Sequence, residues 1–268
     1  MNNHPIGILD SGVGGLTVLR AIAQELPQES FVYIGDSQNT PYGEKSEEAV
    51  YELAKNLVEF LIAKKVKAIV IACNTITVSC LDRLRIDYPE MPLIGTVPVV
   101  KSAAALSKKK HIGILSTTRT AQSDYQKHLI EEFADGCVVL NYGTDKLVPL
   151  IEQGKLGGEK LQGVLRQVLA PFLKENIDTL ALGCTHFPLV RNEIQQLLGP
   201  EVQLLDSGEA IARQLRRVLE RNTNLATEKS GEIAIYTTGN MQIAKNLAIS
   251  TIEKQPLTVR HILLNNDY

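Results

Sequence analysis

The chain has 268 residues, of which 44% are hydrophobic and 22% are charged, as is ordinary for a globular protein of one large domain or two modest ones. Its formal net charge of −2 gives no sign of a nucleic-acid-binding surface. The N-terminus lacks a signal-peptide pattern, and no stretch approaches about 18 consecutive apolar residues, so we expect a cytoplasmic protein without a transmembrane helix.

Short apolar runs alternate along the chain with amphipathic segments. Helical patterns occupy the intervals between the runs, for example at 47–65 and 191–199. The alternation predicts an α/β fold with parallel sheets and helices on both faces, in which ligands bind at the carboxyl ends of the strands. The predicted strands lie at 6–9, 31–35, 68–72, 93–95, 112–115, 138–141, 179–183, 202–206 and 232–238.

A faint internal repeat relates the two halves of the chain. GILDS at 7–11 resembles GILST at 113–117, and IVIACNT at 69–75 resembles TLALGCT at 179–185, in the same order and with similar offsets. The repeat predicts two similar α/β domains related by a pseudo-twofold axis, with the active site in the cleft between them.

The strand predicted at 232–238 follows after the second unit is complete. We therefore predict that the C-terminal segment returns to the first domain, which becomes discontinuous. The predicted domains are 1–97 plus 207–268, and 98–206.

The first strand leads into a glycine-rich turn, DSGVGG. It does not complete a dinucleotide fingerprint, because Thr17 stands where the third glycine belongs, and it lacks the lysine of a Walker A loop. We expect its backbone amides, at the start of a helix, to hold a carboxylate. Asp10, at the strand end, is either the cap of this helix or a member of the site.

The four cysteines form no Cys-x-x-Cys pair and the histidines are scattered, so we predict neither a disulfide framework nor a metal site. Cys80 and Cys137 are interpreted as small hydrophobic residues. Cys73 and Cys184 differ, because they end equivalent strands of the repeat, and a helix is predicted after each, the second opening at Pro188. A helix N-terminus lowers the pKa of a thiol and favours the thiolate.

Two thiols facing each other across a cleft suit racemisation. One thiolate removes a proton from a carbon atom, and the other thiol returns one from the opposite face. His186, two residues after Cys184, either hydrogen-bonds within its loop or tunes that cysteine and positions the substrate ammonium. Glu152, which ends a helical pattern before Gly154, is by itself indistinguishable from a surface acid.

The motifs GILDSGVGGLTVL, PYGEKS, ACNT, GCTHFPL and YTTG, in this order over nearly the whole chain, strongly resemble those of the bacterial glutamate racemases. These enzymes belong to the cofactor-independent aspartate/glutamate racemase family and make D-glutamate for peptidoglycan. The resemblance implies catalysis by Cys73 and Cys184 with assistance from Asp10, Glu152 and His186, and no cofactor. His186 favours glutamate as the substrate, since the related aspartate racemases are expected to carry a Glu residue at this position.

The resemblance also implies substrate contacts and a homodimer of unspecified arrangement. Besides Asp10 and His186, the implied contacts are Ser11, Pro41, Tyr42, Gly43, Asn74, Thr75, Thr117, Thr120 and Thr185. Two departures lie near these positions: Ile76 replaces the usual alanine, and GDSQNT is an unusual version of the loop before PYG. Neither changes a proposed catalytic position.

Four alternatives remain open from the sequence. A cysteine with His186 and Asp10 could form an amidase triad, although this leaves one cysteine without a role. A pyridoxal phosphate racemase needs a lysine, and none stands at the strand ends. A racemase for a related amino acid such as aspartate is the third. A binding or regulatory module, acting for example on DNA gyrase, is the fourth and has no basic patch to support it.

Overall fold

The computed structural model describes residues 2–96, 99–227, 231–252 and 256–264. Ten parallel strands in two sheets carry the architecture of this described part. The first sheet has the order β10-β9-β2-β1-β3-β4 and the second has the order β6-β5-β7-β8. The strands are β1 Ile6–Asp10, β2 Phe31–Gly35, β3 Ile69–Ile71, β4 Leu93–Gly95, β5 His111–Ser116, β6 Val138–Gly143, β7 Thr179–Gly183, β8 Gln203–Leu205, β9 Ile233–Thr237 and β10 Leu257–His261.

Helices connect the parallel strands, as the alternating sequence pattern predicts. The α-helices are α1 Leu16–Glu25, α2 Glu47–Ala63, α3 Asn74–Asp87, α4 Val100–Leu106, α5 Thr118–Gln122, α6 Asp124–Phe133, α7 Val148–Glu152, α8 Glu159–Glu175, α9 Arg191–Leu198, α10 Gly208–Arg221 and α11 Met241–Thr251. Two 3₁₀ helices, Tyr42–Glu44 and Phe187–Val190, lie beside the candidate site described below.

The nine predicted strands are all present, with ends that shift by at most two residues. The tenth, β10, was missed. Among the described residues it pairs with β9 alone, at the edge of the first sheet, and Thr258, Arg260 and His261 are exposed. An edge strand with this much polar, exposed surface lacks the continuous apolar run by which the buried strands were found.

The internal repeat corresponds to equivalent strand pairs. In the first sheet β1 pairs with β3, and Leu9 lies opposite Ile71. In the second sheet β5 pairs with β7, and Leu115 lies opposite Leu182. A cysteine lies two residues beyond each of these paired positions, Cys73 after Ile71 and Cys184 after Leu182, so the two thiols occupy the same position in their sheets.

The end of the chain lies in the sheet that its beginning builds. β9 pairs with β2 over its whole length, with Ile233 opposite Phe31 and Thr237 opposite Gly35. The predicted domain boundaries stay a prediction, and residues 97 and 98, which flank the first of them, lie outside the described residues.

An apolar cluster joins the layers of the two sheets. It includes Val13 and Leu16 from the first unit together with Ile151, Phe187 and Val190 from the second. Strands β1, β2 and β7 are buried at every residue, as expected for parallel strands covered on both faces. These three strands, whose carboxyl ends carry candidate site residues, are therefore packed on both faces of their sheets. No helix within the described ranges is long and apolar enough to cross a membrane.

Candidate active site

The carboxyl ends of β1, β3, β5 and β7 meet around one small cavity with a volume of about 10 Å³. This volume holds about one water molecule. Its walls are Ser11, Thr40, Tyr42, Gly43, Cys73, Asn74, Thr75, Thr117, Val148, Cys184, Thr185 and His186. Both repeated cysteines thus face the same space, whose walls come from the segments that follow the strand ends and from α7.

Ten of the predicted site residues line this cavity, and three of the remaining four are hydrogen-bonded to its walls. Asp10 accepts a hydrogen bond from Thr185, Glu152 is bonded to His186, and Thr120 is bonded to two wall threonines. Pro41 precedes Tyr42 in the same loop and does not line the cavity.

The thiol of Cys73 is buried at the start of α3, where it donates a hydrogen bond to Ser11 Oγ at 3.5 Å. Burial, followed by the negative charge of Asp10, raises the pKa of this thiol to about 12. The expectation of a lowered pKa is therefore wrong for Cys73. The backbone amide of Ile76 at the helix start does favour the thiolate, but the loss of solvation outweighs it.

Cys184 has an imidazole as its polar neighbour, and no α-helix begins directly after it. Its Sγ lies 3.8 Å from His186 Nδ1. The helix predicted to open at Pro188 is a short 3₁₀ helix, Phe187–Val190, and α9 begins only at Arg191. A helical segment thus opens where it was predicted, in 3₁₀ form, and the imidazole of His186 is the polar side chain beside the thiol.

His186 connects Cys184 to a buried carboxylate. Its Nε2 lies 2.6 Å from Glu152 Oε1, which also accepts a hydrogen bond from the Val13 amide at 2.7 Å. Burial by itself would lower the pKa of His186, but Cys184 and Glu152 raise it well above its usual range. Burial would raise the pKa of Glu152, but His186 and the Val13 amide lower it. The imidazolium and the carboxylate are thus both charged near neutral pH.

The glycine-rich turn after β1 makes room for this pair. A β-carbon on Gly12 would lie 1.9 Å from Glu152 Oε1, and one on Gly14 would lie 2.4 Å from His186 Nδ1. The prediction that amides of this turn hold a carboxylate is confirmed by the bond from Val13, and the carboxylate is the protein's own Glu152. This close approach explains the glycines without a nucleotide.

Asp10 is fully buried at the end of β1. It accepts hydrogen bonds from the Gly12 amide at 3.0 Å and from Thr185 Oγ1 at 3.1 Å. Burial raises its pKa to about 6 against the opposing effect of His186. The cap residue of α1 is Gly15, without a side-chain capping bond, so the helix-cap alternative for Asp10 is wrong.

Asp10→Asn is expected to stabilise the protein at neutral pH. The pKa of Asp10 in the folded state, about 6, lies above its ordinary value, so burying the ionised carboxylate costs stability above pH 6. The cost reaches about 3 kcal/mol above pH 6 and vanishes below about pH 4. Urea unfolding of both proteins across this pH range measures the difference.

Asp135→Asn, at an exposed position, is the matched control and is expected to show no such pH-dependent gain. An Asp10→Asn protein that is less stable than the wild type at pH 8 would contradict the expectation.

Three threonines link α3 to α5 at the cavity wall. Thr117 Oγ1 lies 2.9 Å from the hydroxyls of both Thr75 and Thr120, which are 3.5 Å apart. Since Thr75 follows β3 of the first sheet and the other two follow β5 of the second, these hydroxyls join the two halves across the cavity.

A strand-end acid that the sequence analysis passed over orders the loop before Tyr42. Asp36, directly after β2, is fully buried and accepts hydrogen bonds from Asn39, Tyr42 and Thr238. Its place after a buried strand is the signal that could have identified it. Thr40 and Val148, which also line the cavity, were missed as well, and neither carries a distinctive local pattern.

The two other cysteines keep their structural interpretation. Cys80 is buried within α3 and donates to the Ile76 carbonyl at 3.3 Å, and Cys137 is half-buried beside β6. Within the described ranges, no group of three or more His, Cys, Asp or Glu side chains is arranged to hold a metal ion.

Comparison with known proteins agrees with this geometry. The sequence profile of the Asp/Glu/Hydantoin racemase family matches residues 6–215. Glutamate racemase of Pseudomonas aeruginosa is 41% identical over 232 residues, which are 87% of this chain and 88% of that protein. Glutamate racemase of Clostridium perfringens is 39% identical over 238 residues, or 88% of this chain and 91% of that protein.

Solved structures show the same similarity. Glutamate racemase from Francisella tularensis, in complex with D-glutamate, has a TM-score of 0.84 at 30% identity and covers 100% of both chains. Escherichia coli glutamate racemase, in complex with L-glutamate and the activator UDP-MurNAc-ala, has a TM-score of 0.84 at 33% identity and covers 97% of this chain and 99% of that one.

The chain belongs to the Asp/Glu/hydantoin racemase family and is an amino-acid racemase, an isomerase. Within that family, the four relatives described above, each at least 30% identical to this chain, are glutamate racemases, as the resemblance of its motifs implied.

Proposed function

We propose that this racemase interconverts L-glutamate and D-glutamate by a cofactor-independent mechanism with two cysteine bases. The observation that carries the proposal is the placement of Cys73 and Cys184 at equivalent strand ends around one cavity. The substrate is supported by the glutamate racemases among the relatives and by the two solved structures that contain D-glutamate and L-glutamate.

The surroundings of the two thiols differ, and the difference suits a pair of acid and base. Cys73 is held as the neutral thiol by burial and by Asp10. The imidazolium of His186 lies 3.8 Å from the sulfur of Cys184, so the proposed mechanism assigns the base to Cys184 and the acid to Cys73. In this state Cys184 removes the Cα proton of one enantiomer and Cys73 protonates the opposite face. The reverse reaction exchanges the roles.

Donors for the substrate carboxylates are available in the walls. Asn74 Nδ2 is buried and has no hydrogen-bond partner among the described residues. The hydroxyls of Thr75, Thr117 and Thr185 also face the cavity. Since the cavity of about 10 Å³ is too small for an amino acid, wall residues must move to admit the substrate.

The product D-glutamate would supply peptidoglycan synthesis in the cytoplasm. The activator bound to the Escherichia coli enzyme, UDP-MurNAc-ala, supports a link of that enzyme to cell-wall chemistry. A homodimer remains a prediction, and nothing in the structure supports an interaction with DNA gyrase.

Incubation with L-glutamate in deuterated water, with no cofactor added, tests the proposal. We expect deuterium at Cα together with loss of optical activity, and much slower exchange with L-aspartate. Exchange with aspartate alone would assign the aspartate alternative. Absence of exchange with either amino acid, or activity that requires pyridoxal phosphate, would overturn the proposal.

A further inference from the structure

Thr40 stands between the reaction cavity and a second cavity beside Glu152. It lines the cavity of the two cysteines and also a neighbouring space of about 220 Å³, whose walls include Val13, Ser37 and Glu152. It belongs to the unusual GDSQNT loop, immediately before Pro41. Nothing in the acid–base arrangement described above uses it.

The hydroxyl of Thr40 is buried without a partner. Its Oγ1 is shielded from solvent and has no hydrogen bond to any described residue. The other hydroxyls of the cavity wall have partners: Ser11 is bonded to Cys73, Thr75 to Thr117, and Thr185 to Asp10. An unsatisfied buried polar group costs stability, so it needs an explanation at a functional site.

We propose that the Thr40 hydroxyl binds substrate by donating a hydrogen bond to a carboxylate of glutamate. The inference rests on the proposed function, since a dicarboxylate needs several donors within one small cavity. Asn74 Nδ2 and Thr40 Oγ1 are two cavity-wall groups that have no hydrogen-bond partner in the described part of the chain, and a carboxylate can accept a hydrogen bond from both.

Thr40→Val, which keeps the shape and removes the hydroxyl, separates binding from folding. We expect KM for glutamate to rise about tenfold, with kcat changed less than about threefold, because one hydrogen bond to a charged ligand is lost. The melting temperature without ligand stays equal or rises, because no protein hydrogen bond is removed. Thr40→Ser keeps the hydroxyl and is expected to retain a KM near that of the wild type.

Thr96→Val is the matched stability control. The Thr96 hydroxyl donates to the carbonyls of Ile71 and Ala72 at 2.8 Å, so its loss is expected to lower the melting temperature by about 2–4 °C. If Thr40→Val is destabilised to the same extent, the hydroxyl is structural and the inference is wrong. An unchanged KM in Thr40→Val overturns it as well.

Calorimetric titration with D-glutamate distinguishes this inference from the proposed function. If the wild type binds D-glutamate but catalyses no exchange, the proposed reaction fails, and a tenfold weaker affinity of Thr40→Val still supports the inference. Equal affinities overturn the inference alone. A wild type that neither binds nor racemises glutamate overturns both.

Discussion

Replacing either Cys73 or Cys184 by serine is expected to reduce racemisation of glutamate by about 1,000-fold or more. Each thiol is proposed to transfer a proton in every turnover, and an alcohol is too weak an acid and its alkoxide too rare a base to replace it. Circular dichroism of the glutamate solution measures the loss, and unfolding curves confirm that each variant is folded.

Cys80→Ser and Cys137→Ser are matched controls from the same chain. The Cys80 thiol donates to the Ile76 carbonyl within α3, which a serine hydroxyl can also do, and Cys137 lies away from the cavity walls. Both controls are expected to keep activity within about threefold of the wild type. Full racemisation by both Cys73→Ser and Cys184→Ser would exclude the two-base mechanism.

His186→Asn is expected to lower kcat/KM about 100-fold, because it removes the positive charge beside Cys184. The loss must be equal from L-glutamate and from D-glutamate, since the equilibrium constant between enantiomers is one. His111→Asn, at a half-exposed position away from the cavity, is the control. A loss below about threefold would remove His186 from the mechanism.

Glu152→Gln tests the positive charge of His186 through the pH dependence of kcat/KM. The pKa of His186 is raised by Cys184 and Glu152, so the imidazolium persists at neutral pH and is lost as the pH rises through this raised value. Without the carboxylate the pKa of His186 falls, and the alkaline limb of the kcat/KM profile is expected to move to lower pH. If the alkaline limb of the kcat/KM profile does not move, the deprotonation of His186 does not cause it.

Much of the fold and the central pair of cysteines could be predicted from the sequence. Buried parallel strands require apolar side chains on both faces, so they appear as local runs, and the residues that follow them meet at one sheet edge. Cys73 and Cys184 were identified because they follow two such runs in a repeat. The exposed edge strand β10 carries little of this signal and was missed.

The sequence by itself determined the strand order along the chain, the paired cysteines and the family resemblance, because these depend on neighbouring residues. The tertiary structure decided how deeply each side chain is buried and which groups it contacts. Glu152 can lie against His186 only because Gly12 and Gly14 have no side chains to occupy the space of this pair. The high pKa of Cys73 likewise follows from the walls that bury it, since desolvation is set by residues distant in the chain.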